Sequence, residues 1–148
     1  MREHTRRCTV GVPAGILWDY LSDYRNVIQL GVSECDAVLE TGAPGVAGAK
    51  YSGLIVWEGL ESRFSAVLED AARPERRTWT GVEDGAMSSL RVELEPCGPD
   101  ATLVHATLFF SLSDSTRPLE PFGWALESRM LERMMRKMRG LSMDELSS

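Results

Sequence analysis

The chain has 148 residues, of which 43% are apolar and 26% are charged, and its formal net charge is −6. This size and composition are typical of one globular domain that buries a core of its own, so we expect a single domain over residues 1–148. The negative charge argues against a nucleic-acid-binding protein, because such a protein needs a basic surface to contact phosphates, and equally against an anionic membrane surface as the partner.

The first part of the chain predicts one strand followed by two short helices. His4–Val12 alternates as a strand does, and Pro13 ends that strand and suits the start of a helix. A second, short helix is predicted over Asn26–Leu30. The first helix is predicted over Gly15–Asp23 by apolar residues at helical spacing, namely Leu17, Trp18, Leu21 and Tyr24.

A series of strands with turn residues between them occupies the middle of the chain. The predicted strands are Cys35–Glu40, Ala49–Trp57, Leu60–Asp70, Arg76–Val82, Met87–Glu95 and Thr102–Leu112. Short connections such as Asp84-Gly85 are typical of hairpins, so the series predicts an antiparallel meander. Leu119–Gly140 then has apolar residues at helical spacing and predicts one long C-terminal helix with a methionine-rich face.

Alternation along the strands predicts which side chains face the interior. His105 has the opposite phase, which favours a solvent-facing residue of the sheet over a proton carrier. Both faces of the predicted strand Ala49–Trp57 carry apolar residues, because Leu54 and Val56 are out of phase with Tyr51. The predicted interior set is Tyr51, Ile55, Trp57, Leu60, Ser62, Phe64, Ala66, Leu68, Trp79, Ser88, Leu90, Val92, Leu94, Val104, Ala106, Leu108, Phe110 and Leu112.

Two groups of residues resemble a known superfamily. Near the start stand Val12-Pro13-Ala14, Leu17-Trp18, Leu21 and Asp23, and before the last strand stand Leu94-Glu95-Pro96, Gly98, Thr102 and Val104. With these residues the chain resembles the START-like SRPBCC superfamily, also called the helix-grip or birch-pollen-allergen fold, and in particular its polyketide cyclase/dehydrase-like members.

The resemblance implies an α+β fold and a pocket. A seven-stranded antiparallel sheet would grip the long C-terminal helix, two short helices would follow the first strand, and a hydrophobic cavity would lie between sheet and helix. The superfamily includes polyketide aromatase/cyclases, lipid and sterol carriers and hormone receptors. Membership of this superfamily alone therefore does not determine which activity a protein has.

The apolar face of the C-terminal helix would line this cavity together with the sheet. Methionine side chains adapt to varied apolar ligands, although such a stripe is also typical of an ordinary helix core. A few polar groups among apolar ones are typical of small-molecule sites. The predicted ligand-binding residues are Tyr51, Trp57, Ser62, Phe64, Trp79, Ser88, Phe110, Gly123, Met130, Met134 and Met138.

Glu127 is the candidate for pocket chemistry. At 100° per residue it falls near the middle of the apolar arc of the helix, and Gly123 leaves space one turn earlier. Its helical neighbours offer no opposite charge, so burial would raise the pKa of the carboxyl group unless the sheet supplies a partner. The functional interpretation is a general acid/base or a ligand-orienting group. The alternative is a salt bridge to an arginine such as Arg25 or Arg63.

The residues predict neither a metal site nor a cofactor. His4 and His105 are the two histidines of the chain, and no group of His, Cys, Asp and Glu has the spacing of metal ligands. Gly45–Lys50 is glycine-rich, as phosphate-binding loops are. It lacks a Ser or Thr after the Lys, however, and precedes a strand where a phosphate loop precedes a helix.

The cysteines and the termini indicate the compartment. Cys8, Cys35 and Cys97 are odd in number and form no CxxC pair, which favours a reducing environment. The basic N-terminus lacks the apolar segment of a secretory signal, and no apolar run approaches the roughly 20 residues that span a bilayer. We therefore expect a cytoplasmic protein without a membrane span.

Three functions remain open on these observations. The first is binding of a hydrophobic small molecule, lipid-like or polyketide-like. The second is an enzyme of the polyketide cyclase/aromatase type, which needs at least one acid/base group inside the pocket. The third is a protein-binding regulatory module, which needs an exposed apolar patch and for which Phe109 is the hint. The expected partner is a hydrophobic small molecule, and homodimerisation is left open.

Overall fold

The computed structural model describes residues 2–57, 59–70, 76–83, 86–112 and 120–146, with side chains at all of these except 2, 57, 60, 70, 82, 83, 86, 110–112 and 120–127. In chain order the elements are β1 (Arg2–Val10), α1 (Ala14–Leu21), α2 (Tyr24–Ile28), β2 (Glu34–Thr41), β3 (Lys50–Trp57), β4 (Leu60–Asp70), β5 (Arg76–Glu83), β6 (Ala86–Pro96), β7 (Thr102–Leu112), α3 (Glu120–Arg139) and α4 (Met143–Leu146). The predicted α+β helix-grip architecture is confirmed, and β4 and β7 have the predicted bounds. The short helix α4 was not predicted.

The seven strands form one antiparallel sheet in the order β1-β7-β6-β5-β4-β3-β2. Strands β2 to β7 pair in sequence as the predicted meander, and β1 closes onto β7. The register shifts between Leu39 and Thr41 in β2 and between Leu68 and Asp70 in β4. Such irregularities bend a strand and increase its twist, so they help the sheet to curve.

The predicted interior face of the sheet is confirmed wherever its side chains are described. Tyr51, Ala66 and Trp79 are each at most 1% exposed, whereas Leu54 and Val56 on the other face of β3 are only partly buried. His105 lies on the outer face as predicted, with its Nε2 atom 3.8 Å from Glu95 Oε2. The predictions for Trp57, Leu60, Phe110 and Leu112 concern side chains outside the described part of the chain.

Helix α3 packs its methionine-rich face into the concave side of the sheet. Met134 is 1% exposed, and Leu131, Met135 and Met138 are also buried. Burial of side chains of this size contributes about 1.5–3 kcal/mol each. The close approach continues at the loop after α2, where a Cβ atom at Gly31 would lie 2.9 Å from Met130 Cγ. The helix therefore closes the grip over residues 128–139.

Polar contacts on the rim orient α3 over β1 and the start of β2. Arg6 Nη2 lies 3.3 Å from Glu132 Oε1 and donates to Ser128 Oγ at 3.4 Å. Arg133 Nη1 donates to Ser33 Oγ at 3.2 Å. These contacts are largely exposed, so we assign them a role in orientation and give most of the stabilisation to the buried face.

The two short helices differ from the prediction in where one ends and the next begins. Helix α1 ends at Leu21, and α2 begins at Tyr24 because the Asp23 side chain accepts a hydrogen bond from the Arg25 backbone N–H at 3.0 Å and caps the new helix. Tyr24 therefore belongs to α2, and α2 ends at Ile28. No described helix has both the length and the apolar character that crossing a membrane requires.

Candidate functional site

Four aromatic side chains meet between the sheet and α2, and we call them the aromatic cluster: Tyr24, Tyr51, Phe64 and Trp79. The ring centroid of Tyr24 lies 5.8 Å from that of Tyr51, 6.2 Å from that of Phe64 and 5.6 Å from that of Trp79. All three pairs are tilted, which is a favourable geometry for aromatic rings. Three of the rings come from β3, β4 and β5, and the fourth comes from α2.

Two small cavities adjoin the aromatic cluster and share one wall. Their volumes are about 20 Å³ and about 30 Å³. Each has room for roughly one or two water molecules, whereas a site for a drug-sized ligand occupies about 300–1,000 Å³. The residues that line both cavities are Tyr24, Ile28, Gly81, Ser88 and Met130.

The two cavities exist because two small residues are cross-strand partners on the inner face of the sheet. Gly81 of β5 pairs with Ser88 of β6, and the next pair on the same face joins the larger residues Trp79 and Leu90. A Cβ atom at Gly81 would lie 3.9 Å from Ser88 Oγ and 3.2 Å from the carbonyl oxygen of Ser65. The inner face of the sheet therefore has a depression at this pair, opposite Met130 of α3.

Two buried hydrogen-bond donors stand in the aromatic wall. Trp79 Nε1 has no hydrogen-bond partner among the described residues, whereas the Tyr51 hydroxyl lies beside the Asp23 carboxylate and the Tyr24 backbone N–H. Burial raises the pKa of the Tyr51 phenol, and the negative charge of Asp23 and a hydrogen bond to its carboxylate raise it further, while a backbone hydrogen bond from Tyr24 partly opposes the rise. Tyr51 is therefore a neutral donor over the physiological range, as the indole of Trp79 is.

Asp23 and Arg25 form a tight pair at the start of α2. Arg25 Nη2 lies 2.6 Å from Asp23 Oδ2, and Arg25 Nε contacts both carboxylate oxygens at 3.0 and 3.1 Å. Burial works to raise the pKa of Asp23, but the hydrogen bonds and charge of Arg25 outweigh it and hold the pKa below its ordinary value. Arg25 is thus already engaged, and Arg63, the other predicted partner of Glu127, is exposed.

The predicted site residues fall into three groups. Phe64, Trp79, Ser88, Met130 and Met134 line the cavities, and Tyr51 joins them through the aromatic cluster. Met138 is fully buried and Ser62 is partly buried, but neither lines these cavities. The side chains predicted at Trp57, Phe110, Gly123 and Glu127 lie outside the described residues.

The sequence reasoning missed Tyr24, Ile28 and Gly81 as site residues. The helical spacing groups Tyr24 with Leu17 and Leu21 of the first helix. That grouping does not predict that the Tyr24 ring packs against the inner face of the sheet. Asp23 carried the missing signal, since an Asp directly before an apolar stretch is a typical N-cap and starts a new helix. Gly81 carried a weaker signal, because an isolated Gly in a strand often marks a close approach or a gap in side-chain packing.

Two other kinds of site, a metal centre and a protein-binding face at Phe109, are considered for the described residues. No group of three or more His, Cys, Asp and Glu side chains within them is placed to hold a metal ion. Phe109, the hint for a protein-binding face, is only partly exposed, and the Arg91 guanidinium lies 5.4 Å from its ring centroid. The outer face of β7 is therefore covered in part by a charged side chain.

No protein-family model matches the sequence, and no curated protein matches it. Solved structures do match. A protein from Thermus thermophilus is 15% identical, with 94% of this chain and 95% of that chain covered and a TM-score of 0.73. A START superfamily protein from Mycobacterium smegmatis is 15% identical, with 95% and 99% covered and a TM-score of 0.67. An aromatase/cyclase from Streptomyces sp. R1128 is 15% identical, with 93% of each chain covered and a TM-score of 0.66.

These matches establish the class of fold. The chain shares the helix-grip fold of these proteins, in which a curved antiparallel sheet surrounds a C-terminal helix. The resemblance read from the sequence is thereby confirmed at the level of the fold, which hosts more than one function.

Proposed function

We propose that the protein binds a hydrophobic small molecule between the concave face of the sheet and α3. The observation that carries the proposal is the pair of cavities that meet at Tyr24, Gly81, Ser88 and Met130. Their walls are aromatic and aliphatic, with the Ser88 hydroxyl and the Trp79 indole as polar groups. An apolar concavity with a few polar groups is what a small-molecule site requires.

Binding requires the two cavities to merge and grow, and Met130 is suited to allow this. Met130 lines both cavities, is partly exposed, and contacts the loop at Gly31. Its unbranched thioether side chain has several rotamers and can move without displacing the helix backbone. A ligand that displaces this side chain would reach the depression at Gly81 and Ser88.

The first prediction concerns binding and its dependence on that depression. We expect aromatic polyketide-like compounds or fatty acids to change the tryptophan fluorescence and to bind with a dissociation constant of about micromolar order. Ser88→Leu should fill the depression and weaken binding by about tenfold or more. The matched control is Ser89→Leu, since Ser89 is the next residue of β6, faces outward and pairs with Thr80 and Phe109.

Equal affinities of the Ser88→Leu and Ser89→Leu proteins would contradict this placement of the ligand. Crystals of the protein that show a fully packed interior, with no ligand taken up on soaking, would contradict the binding function as a whole. That second result would favour the protein-binding alternative.

A second candidate function is that of a cyclase or aromatase. It is favoured by the fold similarity to the aromatase/cyclase from Streptomyces sp. R1128 and to a di-domain aromatase/cyclase, of which 47% is covered. The Ser88 hydroxyl and the Trp79 indole can orient a substrate, but closure of a ring also requires proton transfer. Glu127 is the residue proposed for that step.

The second prediction therefore concerns Glu127→Gln, which keeps the shape of the side chain and removes its charge. If Glu127 acts in the pocket, turnover should be abolished or ligand affinity should fall at least tenfold, about 1.4 kcal/mol, with little loss of stability. The check is a titration and a thermal melt of the same two proteins. A Glu127→Gln protein that loses stability and keeps its affinity would instead identify the salt-bridge alternative.

A further inference from the structure

A groove of about 470 Å³ lies outside the space between the sheet and α3, where the start of β2 meets the ends of α2 and α3 beside α4. Its lining combines the buried apolar residues Leu30, Val32 and Leu141 with the exposed charged residues Glu34 and Lys137. It shares no lining residue with the two small cavities. Sites that bind small ligands occupy about 300–1,000 Å³, so the groove has room for the terminal residue of a peptide.

Strand β2, whose first residues line this groove, is an edge strand of the sheet. Within the described part of the chain, β2 pairs with β3 and with no other strand. No residue of β2 is buried: Ala37 and Leu39 on its inner face stay partly exposed, and Val38 on its outer face is 57% exposed. An edge strand leaves backbone N–H and C=O groups free to pair with a further strand. A strand added to β2 would gain these hydrogen bonds and cover apolar side chains on both faces.

The charges along this edge indicate what kind of strand fits it. Glu34 and Asp36 are exposed on the outer face of β2, and neither forms a salt bridge with any described residue, whereas Lys50 lies 3.7 Å from Glu40. Lys137 is exposed at the groove and likewise has no anionic partner among the residues described. Pairing of β2 with the β2 of a second copy would bring carboxylates together, which disfavours that occupant. The acidic edge with a lysine at its end matches a chain that has basic side chains and a terminal carboxylate.

We propose that β2 and the groove bind the C-terminal segment of a basic, extended peptide, which joins the sheet as an antiparallel strand. In this direction the C-terminus of the peptide reaches the start of β2, where its carboxylate meets Lys137. The terminal apolar side chain covers Leu30 and Leu141, and the preceding basic side chains pair with Glu34 and Asp36.

A peptide suits this groove better than a free small molecule does. A small-molecule site encloses most of its ligand, whereas the charged residues of this groove are exposed and only the neighbouring strand supplies further contacts. The groove is separate from the two cavities between sheet and helix, so peptide binding does not depend on the proposed function.

The first test titrates wild type with an acetylated peptide of alternating Val and Lys that ends in Leu with a free carboxylate. We expect a dissociation constant on the order of 100 μM or tighter. The C-terminal amide of the same peptide should bind at least fivefold more weakly, and a peptide with Glu in place of Lys should not bind. N-methylation of one alternate set of residues should abolish binding and that of the other set should leave it, because successive N–H groups of a strand point in opposite directions.

Variants on the exposed surface separate the parts of the site. Asp36→Lys should weaken binding of the free-carboxylate peptide at least tenfold. The matched control is Glu61→Lys, the same reversal at an exposed outer-face position of β4, which lies inside the sheet, and it should leave the affinity unchanged. Lys137→Met keeps the length of the side chain and should remove the preference for the carboxylate over the amide. Equal affinities of the Asp36→Lys and Glu61→Lys proteins would overturn the assignment to β2.

Amide NMR signals of wild type locate the peptide without any variant. Signals of residues 35–39 and 137–141 should shift on addition of the peptide, while those of β6 and β7 stay in place. Shifts confined to β1, the other edge strand, would overturn the proposal, as would a wild-type dimer that already protects the β2 amides. Failure to bind the peptide together with binding of palmitic acid would overturn the peptide site and support the proposed function.

Discussion

The Met134→Asp protein should lose about 3 kcal/mol or more of its free energy of unfolding. Met134 is 1% exposed, lines one of the cavities and lies on the face of α3 that packs against the sheet. A carboxylate at this position would be taken out of water with no basic partner among the described residues that surround it. The carboxyl group would remain neutral or the helix would detach, and either response destabilises the fold.

The matched control for Met134→Asp is the same change at Met87, which lies in β6 and is 55% exposed. An Asp there remains in water, so its cost should stay within the roughly 1 kcal/mol that strand propensity allows. Chemical denaturation of both proteins provides the comparison. Equal midpoints for the two variants would mean that α3 does not close the grip.

The architecture could be predicted from the sequence because the strands carry a clear period of two. The alternation in β4, β6 and β7 separates core residues such as Phe64, Val92 and Val104 from solvent-facing ones, and short turns leave little choice of topology. The period of α3 likewise predicts Met134 and Met138 on the buried face. Each of these periodic patterns lies within one strand or helix, so it can be recognised without knowing which other elements that strand or helix contacts.

The site was less predictable because its shape depends on residues that meet only in the folded chain. Gly81 and Ser88 leave a depression since they are cross-strand partners, and a single strand does not reveal its partner. Tyr24 enters the sheet side because Asp23 starts a new helix and changes the direction of the chain. Tyr24 contacts residues of three strands that are distant from it in the sequence. The helical spacing of its own segment does not predict these contacts.

The second large effect on stability is expected at Gly53, where the edge strand β2 lies closest to β3. Gly53 pairs with Ala37, and a Cβ atom at Gly53 would collide with the Asp36 carbonyl oxygen and lie 2.9 Å from Ala37 Cα. These are backbone atoms, so no side chain can rotate to relieve the overlap. A Gly in a strand often marks such an approach of another backbone. Gly53→Ala should therefore cost about 3 kcal/mol or more, and β2 should separate from β3.

Gly15→Ala is the matched control, because a Cβ atom at Gly15 of α1 would have no neighbour within 4 Å. That change should raise stability by up to about 1 kcal/mol, since Ala favours the helix and restricts the unfolded chain. The two substitutions are chemically identical, so their opposite signs isolate the effect of the strand contact. Hydrogen exchange provides the local readout: β2 amides should lose protection in Gly53→Ala while those of β6 and β7 keep theirs. Unchanged protection in β2 together with an unchanged midpoint would show that the edge strand tolerates a side chain at Gly53, and that the close pairing of β2 and β3 is not what holds this side of the sheet.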